Sequence, residues 1–167
     1  MTTPAPAAPV GLRRIVLRAS LGGLAVAQGL VGGWAAAAPA HFFSHFPANG
    51  HGWVALLPPY NEHLVRDVGT LSLALTVVLA VAAATCHRLL VRTAVSAFLV
   101  YAAPHTIFHG LHLGGFTPGD ATAQMAGFAV QLLLAAAAWA ATICSPGSAG
   151  SRDGGGTVPT GTGTRSG

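Results

Sequence analysis

VGTLSLALTVVLAVAAATC, residues 68–86, decides the structural class of this protein. The run contains no charged residue and is about as long as the roughly 20 apolar residues that a helix needs to cross a bilayer. Polar residues border it, with Asp67 immediately before and His87 immediately after. The stretch therefore predicts a transmembrane helix over about residues 66–86.

The whole composition agrees with a membrane protein. The chain is 52% hydrophobic and only 7% charged, whereas a soluble domain carries about 25% charged residues. So few charges cannot cover a water-facing surface, and the high apolar content excludes a disordered chain. We expect an all-α four-helix transmembrane bundle in the lipid bilayer, with spans over about residues 15–38, 66–86, 89–112 and 121–144.

Segments of low complexity border this predicted membrane domain, which covers residues 12–144. Residues 1–11 are rich in Pro and Ala, and residues 145–167 are rich in Gly, Ser and Thr. Neither segment can bury an apolar core. We expect both to be disordered tails.

The arginines indicate an orientation for the bundle. Four spans place both termini and the middle turn on one side of the membrane. Of the eight basic residues, only Arg66 lies on the other side, and such a bias marks the cytoplasmic side of a membrane protein. We expect an N-in/C-in protein of the bacterial plasma membrane with cytoplasmic termini. The arginines on that side are Arg13, Arg14, Arg18, Arg88, Arg92, Arg152 and Arg165.

The long connection between the first two spans, residues 39–62, predicts an extracytoplasmic cap. Its prolines and Asn49-Gly50 interrupt any long helix, and its aromatic residues, Trp53 among them, suit the membrane–water interface. An alternative interpretation makes the first span a secretory signal peptide cleaved near residues 35–40. Its apolar stretch is longer than the roughly 7–15 residues usual for such a peptide.

Three histidines define the most informative polar face. His105, His109 and His112 lie at positions i, i+4 and i+7, so they share one face of the third span. Imidazole is costly to expose to lipid, so this stripe should face the bundle interior or a water-filled cleft.

Two other spans offer polar residues at the same end. His63 and Asp67 begin the second span, with Glu62 and Arg66 beside them, and Asp120, Gln124 and Gln131 follow one face of the fourth. Imidazole and carboxylate groups bind transition metals, and neighbouring polar groups orient them. We therefore predict an outward-facing site for Zn, Cu or Fe, or for haem b, with a role in metal handling or redox chemistry. Its ligands would be His63, Asp67, His105, His109 and His112, supported by Glu62, Arg66, Asp120 and Gln124.

Other interpretations of the same residues remain open. Arg66 could simply neutralise a carboxylate, Asp120 could cap the fourth span, and the loop histidines His41, His45 and His51 could be surface residues. Stacked histidines and a carboxylate also suit a proton-coupled carrier or relay. A third interpretation is a non-catalytic scaffold, a homo-oligomer or a subunit that contacts a membrane partner protein through its Gly-rich first span.

Several functions lack their sequence signals. The chain contains no CxxC, HExxH, P-loop, GxSxG or GxGxxG motif, so no familiar reaction is indicated. Its basic residues form no stripe or run, which argues against nucleic-acid binding. Whether the protein is an enzyme does not follow from these residues.

One resemblance adds to this interpretation. Residues 59–63 (PYNEH), then Arg66, Asp67 and Gly69, followed by Pro104-His105 and by residues 109–112 (HGLH), resemble a set of small uncharacterised actinobacterial four-span membrane proteins. The resemblance covers about residues 12–144. The layout is also similar to the broad DoxX-like group of four-helix membrane proteins, which implies the same architecture and a slight redox association but no catalytic residue.

Overall fold

A computed structural model of the chain describes residues 10–57 and 59–143. Most of the predicted tail 1–11 and all of the tail 145–167 lie outside the described residues, but the first helix already begins at Val10, inside the predicted tail. A short 3-10 helix, Trp53–Leu56, lies between the second and third α-helices. The five α-helices are α1 (Val10–Ala37), α2 (Pro39–His45), α3 (Glu62–Thr85), α4 (Arg88–Leu111) and α5 (Pro118–Ile143).

The predicted fold class is confirmed. The four helices α1, α3, α4 and α5 are each long and apolar enough to cross a membrane, and the described part of the chain contains no strand. The chain is therefore a multi-pass membrane protein built on four helices. The helix ends differ from the predicted spans by only a few residues, mainly because α1, α3 and α5 include polar residues of their first turns.

The four long helices form a ring in the order α1, α3, α4, α5, in which each packs against the next and α5 packs against α1. Short connections bring α3 next to α4 and α4 next to α5. The closest pair is instead α1/α3, whose connection is the long segment that holds α2 and the 3-10 helix.

Glycine explains the close approach of α1 and α3. A Cβ atom built on Gly69 would lie 2.5 Å from the backbone nitrogen of Ala36, and one built on Gly32 would lie 2.8 Å from the carbonyl oxygen of Gly69. Only glycine lets the two backbones meet at this distance, as in other membrane helix pairs. Arg66 reinforces the contact, because its Nη1 donates a 2.6 Å hydrogen bond to the carbonyl oxygen of Ala36 near the end of α1.

The half of the bundle that contains the start of α1 and the end of α5, which we call the packed half, contains the apolar core. The core includes Leu17, Leu21, Leu79, Val95 and Phe98, all essentially inaccessible to solvent. Arginines lie at its terminal end: Arg13 Nε donates to the carbonyl oxygen of Ala141, and Arg92 Nε donates to Thr142 Oγ1. Polar contacts therefore close this end.

The opposite end is covered by α2 and the 3-10 helix, which form the cap, as the sequence predicts. An aromatic cluster holds the cap together, with ring centroids 4.9 Å apart for Phe42 and Phe46 and 6.1 Å apart for Phe46 and Trp53. The chain folds back at Gly52, which has φ +60° and whose Cβ would lie 2.8 Å from the carbonyl oxygen of Ser44. The backbone nitrogen of Trp53 can then donate a 2.7 Å hydrogen bond to Phe46.

Candidate functional site

A cavity of about 400 Å³ lies between the four long helices, directly beneath the cap. Every long helix contributes to its wall, and the aromatic side chains Phe42, Phe46 and Trp53 form its roof. The wall is mainly apolar, and none of the described residues that line it is an Asp, Glu or Arg. We call the half of the bundle that contains this cavity the hollow half.

The predicted histidine stripe on α4 divides into two parts. His105 and His109 line the cavity, and their ring centroids are 4.6 Å apart. His112 does not line the cavity, because it follows the last residue of the helix. Its ring stacks on Phe108 with centroids 4.1 Å apart, and its Nδ1 lies 2.7 Å from the carbonyl oxygen of Phe108. The helix stops at Leu111, so the i+7 position no longer follows the helical face.

Side chains of α5 and of α4 itself hold the two cavity histidines in place. His109 Nδ1 lies 3.1 Å from Gln124 Oε1, and both residues are buried. His105 stacks on Tyr101, with centroids 5.2 Å apart, and meets the ring of Phe128 edge-on. The predicted convergence of the polar faces of α4 and α5 is therefore present at this point.

A pair of glutamines from α1 and α5 forms the cavity floor. Gln28 Nε2 donates a 3.2 Å hydrogen bond to Gln131 Oε1. Gln28 is only 5% exposed, and its Oε1 is buried without a hydrogen-bond partner in the described part of the chain. Since a helix rises about 1.5 Å per residue, Gln28 lies roughly 13 Å below the end of α1. The spacing along α5 predicted that Gln131 lies on this face, whereas Gln28 was not predicted as a site residue, although a glutamine in an apolar span is itself a functional signal.

The polar residues that begin α3 do not reach the cavity. His63 Nε2 and Asp67 Oδ2 are 3.2 Å apart, and their side chains are 82% and 51% exposed. Glu62 accepts a 2.8 Å hydrogen bond from Arg66 Nε, so Arg66 serves both Glu62 and the end of α1. The face of α3 that lines the cavity is apolar and consists of Leu64, Val65 and Val68.

Asp120 attaches the cap to α5. Its Oδ1 lies 2.8 Å from His51 Nδ1, and its Oδ2 accepts a 2.8 Å hydrogen bond from Thr117 Oγ1. The backbone nitrogen of Asp120 donates in return to Thr117 Oγ1 at 3.1 Å. Thr117, rather than Asp120, is thus the residue that caps α5. The pairing of His51 with Asp120 was not predicted, because the two residues are far apart in the chain.

The five predicted metal ligands do not form one cluster. Across residues 10–57 and 59–143, no three side chains of His, Cys, Asp or Glu are close enough together to hold a metal ion. Of the predicted set, His105, His109 and the supporting Gln124 meet at the cavity. His63, Asp67, His112, Glu62, Arg66 and Asp120 make other contacts.

Comparison with known proteins gives no relative from which a function could be transferred. No protein-family model, no curated protein and no solved structure matches the chain.

Proposed function

We propose that this multi-pass membrane protein binds an uncharged, mostly apolar small molecule in the cavity beneath the cap. The observation that carries the proposal is the combination of volume and lining. About 400 Å³ lies within the range of roughly 300–1,000 Å³ typical of ligand sites, which are also mainly apolar with a few polar groups. None of the described lining residues is an Asp, Glu or Arg that would pair with a permanent charge on the ligand, and a buried unpaired charge is costly.

A cavity-filling variant tests this proposal. Gly127 lines the cavity, and a Cβ atom there would meet nothing within 4 Å, so we expect the side chain of Gly127→Leu to occupy part of the cavity. Gly22→Leu is the matched control, because Gly22 is also helical with open space around its Cβ but does not line the cavity. Both changes favour the helix by roughly 1 kcal/mol, so both variants should fold.

The probes are 1-naphthol, which is neutral, and 2-naphthalenesulfonate, which carries the same ring system and a negative charge. Equilibrium dialysis of the purified protein against matched protein-free micelles measures saturable binding. We expect the native protein and Gly22→Leu to bind naphthol, and Gly127→Leu to bind it at least about tenfold more weakly, equivalent to about 1.4 kcal/mol. Equal binding by both variants, or preference for the sulfonate, would contradict the proposal.

A transition metal or haem b is a second candidate, favoured by the pair of imidazole rings of His105 and His109 on the cavity wall. Two imidazoles are suitable ligands for Zn, Cu or Fe, and one of them could bind a haem iron axially. The remaining ligands would come from the bound molecule. Metal analysis of the purified protein tests this candidate: the double variant His105→Ala/His109→Ala should lose bound metal, while His63→Ala keeps it. Stoichiometric metal in the double variant would exclude this site.

We also propose that the cap faces outward and the termini face the cytoplasm, since the arginine bias supports this orientation. Impermeant maleimide applied to intact cells tests it on a background without the native cysteines. Asn49→Cys, which is exposed in the cap segment, should be labelled. A protein that retains only Cys86, at the opposite end of α3, should be labelled only after the cells are opened. The reverse pattern would invert the topology.

A further inference from the structure

The cavity has an opening on the side of the bundle, between α3 and α4. Three apolar residues at this edge both line the cavity and are strongly exposed: Leu64 (58%), Val68 (46%) and Phe108 (40%). Of the neighbouring helix pairs, α3/α4 is the least closely packed. In a membrane this edge faces lipid chains, so the cavity is continuous with the bilayer interior.

Access from the water beyond the cap is more restricted than access from the side. Phe42, Phe46 and Trp53 lie over the cavity, and the contact between His51 and Asp120 attaches the cap to the start of α5. A molecule that is already dissolved in the membrane therefore has the shorter and more apolar route into the site.

The residues at the cavity floor indicate which polar group such a molecule carries. The buried Oε1 of Gln28 has no donor within the described chain, and leaving a buried acceptor unpaired costs about 1–3 kcal/mol. When the Gln28 amide turns so that this oxygen faces the cavity, a hydroxyl group can donate to it and can also accept from a nearby amide nitrogen. An ether or an ester carbonyl can only accept, and a carboxylate or phosphate would bring a charge for which the described lining offers no Arg or Lys.

On the basis of the proposed function, we propose that the ligand is a long-chain, uncharged lipid alcohol. It enters from the bilayer between α3 and α4 and places its hydroxyl group on the floor formed by Gln28 and Gln131. Its chain passes the apolar edge at Leu64, Val68 and Phe108 and extends into the lipid.

Photoreactive lipids test this proposal on the full chain in phosphatidylcholine nanodiscs. The probe is hexadecanol with a diazirine and an alkyne in its chain. The two comparison probes are its methyl ether, which lacks the donor, and the corresponding hexadecanoate, which is charged. We expect the alcohol to label the native protein about tenfold more than either comparison probe, a ratio equivalent to about 1.4 kcal/mol. Replacing Gln28 with Leu should remove the preference for the alcohol over the ether.

A bulky side chain at the lateral opening tests the route. Val68→Trp places an indole at the edge, and Val77→Trp is the matched control, because Val77 is an exposed valine of the same helix that does not line the cavity. We expect Val68→Trp to reduce labelling by the alcohol about tenfold relative to Val77→Trp. Unfolding in mixed micelles with increasing dodecyl sulfate shows whether Val68→Trp is as stably folded as Val77→Trp. If Val68→Trp does not fold, Leu64→Trp replaces it at the same edge.

The outcomes separate the two proposals. Equal labelling of Val68→Trp and Val77→Trp, or equal labelling by the alcohol and the ether, overturns the lipid-alcohol proposal even when naphthol binds. Failure of naphthol binding in the native protein overturns the proposed function itself.

Discussion

The packed half and the hollow half of the bundle use the same four helices but differ in what those helices carry on their inner faces. In the packed half most inner positions are Leu, Val, Ala or Phe, and residues such as Leu21 and Phe98 are completely buried. In the hollow half the inner positions include Gln28, His105 and Gly127, and they surround a cavity of about 400 Å³. Protein interiors are normally close-packed, so the difference supports the proposal that the hollow half holds a ligand, while the packed half supplies the buried apolar core.

The hollow half is not a loosely assembled region. Its back wall contains the Gly32/Gly69 contact between α1 and α3, where the backbones of two helices meet. The Gln28–Gln131 hydrogen bond joins α1 to α5 across its floor, and the His51–Asp120 contact joins its cap to α5. Specific contacts therefore hold the back wall, the floor and the cap of the cavity, whereas the edge between α3 and α4 is lined by exposed apolar residues.

The largest loss of stability is expected at the back wall, where α1 and α3 approach each other most closely. Gly69→Leu would force α1 and α3 apart, because even the Cβ atom would lie 2.5 Å from the backbone nitrogen of Ala36. Overpacking of this kind costs about 3 kcal/mol, or more where backbone cannot move. Unfolding in mixed micelles with increasing dodecyl sulfate measures the change in free energy. Gly22→Leu, with no atom near its Cβ, is the control, and equal stability of the two variants would show that the glycine contact does not hold the wall.

Replacing one phenylalanine in each half compares how much packing in the two halves contributes to stability. Phe98 is fully buried in the packed half, whereas Phe128 borders the cavity and is partly exposed. Phe98→Ala should lower the free energy of unfolding by about 3 kcal/mol, because it removes contacts on all sides and leaves a new void. Phe128 already lacks neighbours on its cavity side, so Phe128→Ala should cost only about 1 kcal/mol. The same unfolding assay serves both variants, and a larger loss for Phe128→Ala would mean that the cavity is filled by the protein itself.

The sequence predicted the four spans well because hydropathy and length directly determine which segments can cross a bilayer. The spacing of His105 and His109 also identified a face of α4 that does line the cavity. The spacing of His63 and Asp67 correctly placed the two residues next to each other, but it could not tell which way that face points. A membrane helix is apolar almost all round, so its rotation depends on packing, and here the glycine contact at Gly69 turns Leu64 and Val68 toward the cavity instead.

The cap could be predicted only in part for a different reason. Prolines and aromatic residues indicated an interrupted segment at the membrane surface, but the contacts that place it over the cavity join residues distant in the chain. His51 meets Asp120 across 69 positions, and no local pattern specifies that pair. The same holds for Gln28 and Gln131, whose hydrogen bond crosses from the first long helix to the last.

The smallest loss of stability is expected at Asp120, which attaches the cap to α5. The carboxylate of Asp67 provides the comparison. Asp120 is 18% exposed and accepts from both His51 and Thr117, whereas Asp67 is 51% exposed and meets only His63. Asp120→Ala should lower the free energy of unfolding because it removes two hydrogen bonds to a charged group. Asp67→Ala should cost about 0–0.5 kcal/mol, since exposed ion pairs contribute little.

Fluorescence quenching by acrylamide shows whether the loss of stability comes from the cap. Trp53 lies in the cap over the cavity, so loosening the cap should increase its quenching in Asp120→Ala and leave it unchanged in Asp67→Ala. A background with Trp34→Phe and Trp139→Phe isolates the signal of Trp53. Equal quenching in the two variants would show that the aromatic cluster alone keeps the cap closed. In that case the cap would stay closed over the cavity without the contact between His51 and Asp120.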